Sequence, residues 1–215
     1  MQIAMATGGI ASTNCYLLAD EETKQAVILD APDHTVQPLI DLAKARGWEI
    51  VGLWLTHGHF DHVADHHVVT SQCPNANVLI HSLDHPKLQN PGSSMFKLPF
   101  TIPPRAADVL LEDGQTLKLG EYECRVIHTP GHSPGHVCFY FQSEDLLIGG
   151  DLIICGAVGR TDLPDSNVSH LNASIRRIIK LPPETRLLPG HCDTSTLAEE
   201  MANNPYVRNV VEKPD

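Results

Sequence analysis

The sequence predicts an α/β protein in which two mixed β-sheets lie face to face between outer layers of helices. Two features of the sequence support this fold class. Short apolar segments typical of buried strands alternate with segments whose apolar residues recur at helical spacing. The alternation occurs in a similar style in both halves of the chain. Each sheet can therefore bury one face against the other sheet and its second face against helices.

The size and charge of the chain limit its function. A chain of 215 residues suits one domain with a substantial core, so we expect a single domain over residues 1–215. The formal net charge of -11 at pH 7 argues against a nucleic-acid partner, because binding phosphates requires clustered Lys and Arg. Neither a signal peptide nor an apolar segment of membrane-spanning length stands out, which predicts a cytoplasmic protein without a membrane partner. These features do not predict an oligomeric state.

The first half of the chain contains four predicted strands and two predicted helices. "TNCYLLAD" and "QAVILDAP" are joined by the polar turn "EETK", which predicts a β-hairpin. "TVQPLIDLAKARG" has apolar residues at helical spacing and ends in Gly47, which predicts a helix with a glycine stop. "EIVGLWLT" predicts a buried strand, "VADHHVVTSQC" a short helix and "NVLIHS" a further strand.

Residues 84–107 form the longest segment without a periodic pattern. The segment contains five prolines, and so long a loop in a compact domain is usually functional or disordered. We expect it to form a lid or a pocket wall. The alternative is a mobile insertion without a role.

The second half of the chain repeats the style of the first. "TLKLG", "YECRVIHTP", "HVCFYFQ" and "DLLIGGD" predict four strands. "SNVSHLNASIRRIIK" predicts a helix that Ser166 or Asn167 can cap. "TRLLPGH" predicts a last strand and "STLAEEMANN" a final short helix.

The segment "THGHFDH", residues 56–62, concentrates three histidines and one aspartate directly after a predicted strand. Imidazole and carboxylate are the ligands that zinc and similar divalent ions prefer. His57 and His59 are two residues apart on an extended chain, so both side chains can reach one ion. Asp61 and His62 follow a bend and can reach a second ion. One short segment can therefore serve two metals.

Three further residues complete the predicted metal centre. His132, Asp151 and His191 each follow an apolar segment and stand next to glycine or proline. Two ions with exchangeable positions need about seven or eight protein ligands, and this count closes if the Asp151 carboxylate bridges the two. We assign the first ion to His57, His59, His132 and Asp151, and the second ion to Asp61, His62, His191 and Asp151. The exchangeable positions are typical of a catalytic rather than a structural site.

Several residues near these ligands have two interpretations. Asp30 either hydrogen-bonds a ligand histidine and fixes its tautomer or caps the following turn. Arg160 either binds a substrate carboxylate or pairs with Asp162. Cys192 is either a bystander or a thiol whose oxidation disturbs metal loading. The other histidines are expected to bind no metal: His34, His66, His67, His81, His85, His128, His136 and His170.

The ligand pattern resembles that of the metallo-β-lactamase superfamily. The H-x-H-x-D-H signature stands here as His57, His59, Asp61 and His62, and a downstream His, Asp and His follow in the expected order. The resemblance covers essentially the whole chain. It implies the αββα sandwich of the metallo-β-lactamase fold and two divalent metal ions, with zinc as the first choice and iron or manganese as alternatives.

Within that superfamily, "TPGHSPGH", "GGD", "GRTDLP" and "PGH" are most similar to the glyoxalase II-like hydrolases, in particular a short bacterial type. The resemblance implies hydrolysis of a small-molecule thioester of the S-(2-hydroxyacyl)glutathione type. Full-length glyoxalase II has a C-terminal helical domain that binds glutathione, and we expect this chain to lack it. The sequence also departs from its relatives at Ala64, Asp65 and Cys192, without loss of a ligand.

In this interpretation a hydroxide shared by two metals attacks the thioester carbonyl, and a thiolate leaves. Asp61 can orient the nucleophile and is therefore the candidate catalytic residue, and Arg160 is the candidate substrate-binding residue.

Three other functions remain as alternatives. A mononuclear iron persulfide dioxygenase shares the "GRTD" segment and needs two histidines and an aspartate, but the complete second ligand set favours the dinuclear hydrolase. A non-catalytic metal-binding protein has no need of exchangeable positions. A nuclease is disfavoured by the acidic charge.

Overall fold

The structure, a computed structural model, describes residues 1–95 and 97–212 and confirms the sandwich of two mixed sheets between helical layers. The strands of the first sheet stand in sequence order, antiparallel from the first to the third and parallel from the third to the sixth. They are β1 (Gln2–Gly8), β2 (Thr13–Ala19), β3 (Gln25–Leu29), β4 (Glu49–Trp54), β5 (Asn77–His81) and β6 (Val109–Leu111). The predicted hairpin is β2 and β3. The sequence gives little sign of β1, a partly exposed edge strand, or of β6, which has 3 residues.

The second sheet contains the predicted strands of the second half. Its order is β14-β13-β10-β9-β8-β7, and β10 and β13 form its one parallel pair within the described residues. A separate two-stranded hairpin follows β10. The strands are β7 (Thr116–Leu119), β8 (Tyr122–His128), β9 (Val137–Phe141), β10 (Leu146–Gly150), the hairpin β11 (Ile153–Ile154) and β12 (Ala157–Val158), β13 (Arg186–Pro189) and β14 (Ser195–Thr196).

Helices cover the outer faces of the sandwich. They are α1 (Gln37–Arg46), α2 (Phe60–Val63), α3 (His66–Gln72), α4 (His85–Gln89), α5 (Val168–Ile178), α6 (Leu197–Asn203) and α7 (Pro205–Glu212). Helix α1 stops at Gly47, whose φ is 68°, as predicted. The cap of α5 is Asn167, whose side chain accepts a hydrogen bond from the His170 amide at 3.0 Å.

Three expectations about helices are corrected. The short helix expected after the histidine cluster is α3, which begins at His66, whereas α2, within the cluster itself, was not predicted. Residues 84–107 are not irregular throughout, because α4 lies near the start of the segment. Helix α7 was not predicted, since its short apolar stripe follows α6 after a single residue.

Within residues 1–95 and 97–212, no helix is long and apolar enough to cross a lipid bilayer.

Three apolar layers hold the sandwich together. One lies between the first sheet and α1, and includes Leu17, Ile28 and Ile40. The second lies between the two sheets, where Trp54 and Phe139 have ring centroids 5.5 Å apart. The third packs the second sheet against α5 and α7. Each sheet is therefore buried on both faces, as the alternation of strands and helices predicted.

Several strands begin or end at one edge of the sandwich, where the two sheets meet. Backbone hydrogen bonds join the two sheets there: the Val137 amide donates to the Thr56 carbonyl at 2.8 Å, and the Asn14 amide donates to the Gly190 carbonyl at 2.7 Å. Thr13 forms an isolated β-bridge with His191. All the predicted metal ligands follow strands at this edge.

Candidate metal centre

The first group of ligand atoms comes from three histidines. Nε2 of His57 and Nδ1 of His59 are 3.0 Å apart, and Nδ1 of His59 lies 2.8 Å from Nε2 of His132. The rings of His57 and His59 are nearly perpendicular, at 86°. His57 and His59 follow β4, whereas His132 follows β8 of the other sheet. These three nitrogens, called the first triad, can hold one ion.

A second triad consists of Asp61, His62 and His191. Oδ2 of Asp61 lies 3.5 Å from Nε2 of His62 and 3.4 Å from Nε2 of His191. Helix α2 carries Asp61 and His62 and supplies the predicted bend, and His191 follows β13. The Thr13 hydroxyl donates to Oδ2 of Asp61 at 2.9 Å and fixes that carboxylate.

The Asp151 carboxylate lies between the two triads. Its Oδ2 atom is 3.3 Å from Nε2 of His132 in the first triad and 3.4 Å from Nε2 of His191 in the second. Its Oδ1 atom is 3.4 Å from Nε2 of His62. The structure thus brings the seven predicted ligands together, with Asp151 in the position that a bridging carboxylate requires.

Two buried atoms of this cluster test whether it fits a metal. Nε2 of His62 and Oδ1 of Asp151 face each other at 3.4 Å, but neither makes a hydrogen bond of good geometry in the described part of the chain. An unpaired buried polar atom costs about 1–3 kcal/mol, and native proteins pair nearly all of them. A divalent cation satisfies both atoms at once, since imidazole nitrogen and carboxylate oxygen are donors that it prefers. The residues present therefore fit a bound metal.

Two histidines of the first triad, His57 and His59, are poised to remain unprotonated. Burial, together with the nearby charges of His62 and His59, holds the pKa of His57 well below its usual value. Burial and the neighbouring His132 lower the pKa of His59 to about 4. Neutral imidazole is the form that binds metals, so these rings are ready to act as ligands at neutral pH.

In the second triad the charged forms are favoured instead, with His191 protonated and Asp61 ionised. Burial disfavours the charged form of His191, but hydrogen bonds to Asp151 and Asp61 outweigh it and raise the pKa of His191 to about 10. Burial likewise opposes ionisation of Asp61, but His62 and His191 outweigh it and lower the pKa of Asp61 to about 2. A cation that binds here replaces the protons that these histidines carry in the metal-free protein.

The ring nitrogens that face away from the cluster have partners of their own. A continuous chain links the two triads: Nδ1 of His57 lies 3.0 Å from the Thr56 hydroxyl, which donates to Oδ2 of Asp30 at 2.8 Å. The same Asp30 oxygen lies 2.8 Å from Nδ1 of His62. The Thr56 hydroxyl donates its proton to Asp30, so its oxygen can only accept a hydrogen bond from Nδ1 of His57. The Nε2 atom of His57 is then unprotonated and can bind a metal. The interpretation of Asp30 as a residue that orients a predicted ligand is confirmed.

His136 supports the cluster without belonging to it. Its Nε2 atom accepts a hydrogen bond from the Asp151 amide at 2.9 Å, and its Nδ1 atom lies 2.8 Å from the Thr129 hydroxyl. The ring is fully buried, and burial lowers its pKa to about 3, so it stays neutral. His136 lies in no candidate metal-binding group of the described residues, and its contact with the Asp151 amide was not predicted. The H-x-x-x-H spacing from His132 was the available signal.

A cavity of about 730 Å³ opens over the cluster. The ligands His59, Asp61, His132, Asp151 and His191 form its floor. Its walls come from residues 10–11, 90–95 and 163–165. The expectation that residues 84–107 form a pocket wall is therefore confirmed for the part from 90 to 95.

The other candidate residues near the ligands are Arg160, Asp65 and Cys192. Arg160 lines the cavity, but its guanidinium binds Asp162 at 2.6 and 2.7 Å, as the structural alternative predicted. Its carbonyl lies 3.0 Å from Nδ1 of His132. Asp65 faces away from the ligands and accepts a hydrogen bond from the Thr35 amide at 3.1 Å. Cys192 is an exposed free thiol with a φ of 64°.

Known proteins share this sequence pattern. The profile of the metallo-beta-lactamase superfamily matches residues 8–191. A probable metallo-hydrolase of Streptococcus pyogenes is 32% identical over 212 residues, which cover 96% of this chain and 90% of that protein. A hydroxyacylglutathione hydrolase of Maricaulis maris is 29% identical over 82% of this chain and 60% of its own length.

Solved structures share the fold. The BLEG-1 B3 metallo-beta-lactamase has a TM-score of 0.88 and 33% identity, over 96% of this chain and 99% of that one. TTHA1623, solved in a di-iron-bound form, has a TM-score of 0.84 and 35% identity, over 94% and 99%. ETHE1 from Myxococcus xanthus has a TM-score of 0.80 and 26% identity, over 97% and 85%. With a family profile that spans most of its length, this chain belongs to the metallo-β-lactamase superfamily, whose members bind divalent metals.

Proposed function

We propose that this protein is a dinuclear metallo-hydrolase that cleaves thioesters of the S-(2-hydroxyacyl)glutathione type. The observation that carries the proposal is the position of Asp151, whose carboxylate lies 3.3–3.4 Å from donor atoms of both triads. Such an arrangement suits two cations side by side, as in two-metal hydrolases. The names of relatives as a probable metallo-hydrolase and a hydroxyacylglutathione hydrolase support the same class of reaction.

The proposed ligands are those of the two triads together with Asp151. The first ion would take His57, His59, His132 and Asp151, and the second would take Asp61, His62, His191 and Asp151; the Asp151 carboxylate also forms a candidate metal-binding group with His57 and His62. Zinc is our first choice, and the same donors also suit iron or manganese; the relative TTHA1623 was solved in a di-iron-bound form. Two divalent ions bound there supply a hydroxide nucleophile at neutral pH and Lewis acidity toward a carbonyl oxygen.

Asp61 has a second proposed role beside that of ligand. Its pKa of about 2 keeps it ionised at neutral pH, and it lies on the floor of the cavity. An ionised carboxylate accepts a hydrogen bond from an attacking water and so fixes the direction of its lone pair. The Thr13 hydroxyl holds Oδ2 of Asp61 in place during this step.

The charges in the cavity favour a substrate with a good leaving group. Outside the ligand cluster, the ionisable side chains that line the described cavity are Lys87, Arg160 and Asp165. Each already pairs with an opposite charge: Lys87 lies 2.5 Å from Asp165, and Arg160 binds Asp162. Thiols have a pKa near 8.5, so a thiolate leaves without a proton from the protein, whereas an amine needs one. This difference favours thioesters over amides and lactams.

A cavity of about 730 Å³ also suits a small molecule rather than a polymer. Together with the net charge of -11, it supports our proposal that nucleic acid is not a substrate.

One set of assays tests the proposed function. Purified protein is loaded with zinc, and in parallel with iron or manganese, and its metal content is measured by elemental analysis. We expect two ions per chain and hydrolysis of S-D-lactoylglutathione, with little turnover of a β-lactam. Oxygen uptake with glutathione persulfide and no thioester hydrolysis would instead identify a persulfide dioxygenase. A metal-loaded protein that turns over none of these substrates would contradict the proposal.

A further inference from the structure

We propose that Asp84 is a positioning residue that locks two ligand-bearing loops, residues 57–59 and 132–135, against each other. The inference rests on the proposed function, since it concerns the predicted ligands that these loops carry. Asp84 follows β5 and has no place in the ligand pattern of the sequence. It is completely buried, which is unusual for a carboxylate unless it is fully paired.

The Asp84 carboxylate is shared between the two loops. Its Oδ2 atom accepts hydrogen bonds from the Gly58 amide at 2.8 Å and from the Ser133 hydroxyl at 2.7 Å. Its Oδ1 atom accepts one from the Gly135 amide at 2.8 Å. Gly58 stands between His57 and His59, and Ser133 follows His132. One carboxylate therefore fixes the backbone beside all three histidines of the first triad.

Two glycines show how closely the loops press against Asp84. A Cβ atom on Gly58 would lie 2.9 Å from the Asp84 carbonyl oxygen, and one on Gly135 would lie 2.6 Å from the Asp84 amide nitrogen. Contacts this short with backbone are not tolerated, so a side chain at either position would push the loops away. The glycine of the H-x-H segment is thus explained by the close approach of the Asp84 carbonyl oxygen and of the Lys87 Cβ atom, which would lie 2.8 Å from a Cβ at position 58.

Lys87 extends the same connection to the cavity wall. Its Nζ atom lies 3.3 Å from Oδ1 of Asp84 and 2.5 Å from Oδ2 of Asp165. Burial opposes ionisation of Asp84, but Lys87 and the three donors outweigh it and hold its pKa below the usual value. Asp84 therefore stays an anion that can accept all four hydrogen bonds.

An asparagine at position 84 cannot reproduce this pattern. Each carboxylate oxygen receives a backbone amide, so an Asn amide group must face one of the two N–H donors in either orientation. Either the Gly58 amide or the Gly135 amide would lose its acceptor. Because the nitrogens of the first triad are 2.8–3.0 Å apart, a small shift of either loop changes their geometry at the ion.

Asp20 provides a matched control at the other end of the sandwich. It is also a buried aspartate that follows a strand, and it accepts hydrogen bonds from the Glu22 and Glu121 amides, each at 2.9 Å. It follows the 7-residue strand β2, whose first residue, Thr13, contacts Asp61. At about 3.3 Å per residue, Asp20 lies roughly 23 Å from that end.

The test compares Asp84→Asn with Asp20→Asn in the full chain. Co²⁺ is titrated into metal-free protein and followed by visible absorption, and thermal unfolding is measured in parallel. We expect both variants to unfold at lower temperature, but Asp84→Asn alone to weaken Co²⁺ binding, by about 10–100-fold as for other residues that orient metal ligands. Equal Co²⁺ affinities in the two variants would overturn the role of Asp84.

Two further measurements test the role of Asp84. If Asp84→Asn does not fold, Ser133→Ala can be used instead, because it removes one donor and leaves the Asp84 carboxylate in place. We expect Ser133→Ala to bind Co²⁺ several-fold more weakly than the wild-type protein. A Co²⁺ affinity equal to that of the wild type would contradict the proposal. Hydrogen exchange of the metal-free protein should be faster in both loops, 57–59 and 132–135, in the Asp84 or Ser133 variant than in Asp20→Asn. If wild-type protein binds no Co²⁺, the proposed function fails, while the exchange rates still decide whether Asp84 holds the loops.

Discussion

The two triads of the metal centre lie side by side but are built from different chemistry. The first has three imidazole nitrogens, with pKa values lowered by burial at His57 and His59. The second includes the Asp61 carboxylate, beside which the pKa of His191 is raised to about 10. His57 and His59 are thus neutral nitrogen donors, whereas the carboxylates beside His191 keep that imidazole protonated until a cation binds. The Asp151 carboxylate lies between the two triads and would join them in the proposed dinuclear centre.

This difference has a consequence for metal choice. Three imidazoles suit borderline ions such as zinc and Fe²⁺, whereas a set with more carboxylate also suits harder ions such as Mn²⁺. The two positions can therefore differ in affinity and in metal. Substitutions that remove the shared residue should abolish both sites, and substitutions within one triad should separate them.

The largest effect is expected for Asp151→Ala, which removes the residue that the triads share. We expect this variant to lose both ions and more activity than the ~10²–10³-fold typical of losing one donor to the transition state. Elemental analysis and thioester hydrolysis measure the two effects. Full metal content in this variant would contradict the bridging position.

The next largest effect separates the triads. His59→Ala removes a donor of the first triad and His191→Ala a donor of the second, and we expect each variant to retain about one ion instead of two. The retained ion should lie in the opposite triad, which Co²⁺ absorption can distinguish because the nitrogen and carboxylate donors differ. Loss of both ions from both variants would show that the triads do not bind metal separately.

A smaller effect is expected for Asp30→Asn, which leaves every ligand in place. Asp30 orients His62 directly and His57 through Thr56, so the variant should bind metal about 10–100-fold more weakly. Chelator competition measures this affinity, with Asp20→Asn as the control for general destabilisation. An affinity equal to that of the control would show that Asp30 serves the fold alone.

The smallest effect is expected for Cys192→Ser. The thiol is exposed, and the backbone carbonyl of the residue already accepts a hydrogen bond from Asn14 at 2.8 Å. We therefore expect metal content and activity within about twofold of wild type under reducing conditions, as for most exposed substitutions. After peroxide treatment the variant should retain more metal than the wild-type protein. Equal loss of metal from both proteins would show that Cys192 is not the oxidation-sensitive group.

The sequence predicted the ligand cluster well because its signal is local. His57, His59, Asp61 and His62 stand within six positions, so spacing alone shows which side chains can converge. The central strands β2, β3, β9 and β10 were recognisable for a related reason, since they are buried on both faces and read as short apolar runs. Strand β1 escaped because an edge strand with partly exposed, small side chains carries little of that signal.

The residues that hold the ligands in place could not be predicted in the same way. Asp84 lies 26 positions from Gly58 and 51 from Gly135, and His136 lies 15 from Asp151. The contact between Asp84 and Gly135 joins the two sheets, and the other two contacts link neighbouring strands within one sheet. All three depend on how distant segments pack, which no local pattern reveals. Asp30 was recognised as a candidate because it ends a strand, but the choice between its two roles required the position of His62.

The most direct test of the dinuclear centre is anomalous X-ray diffraction from crystals of the metal-loaded protein. We expect two anomalous peaks about 3.5–4 Å apart, one beside each triad, with the Asp151 carboxylate between them. A single peak under metal-replete conditions, or two peaks that do not share Asp151, would contradict the account.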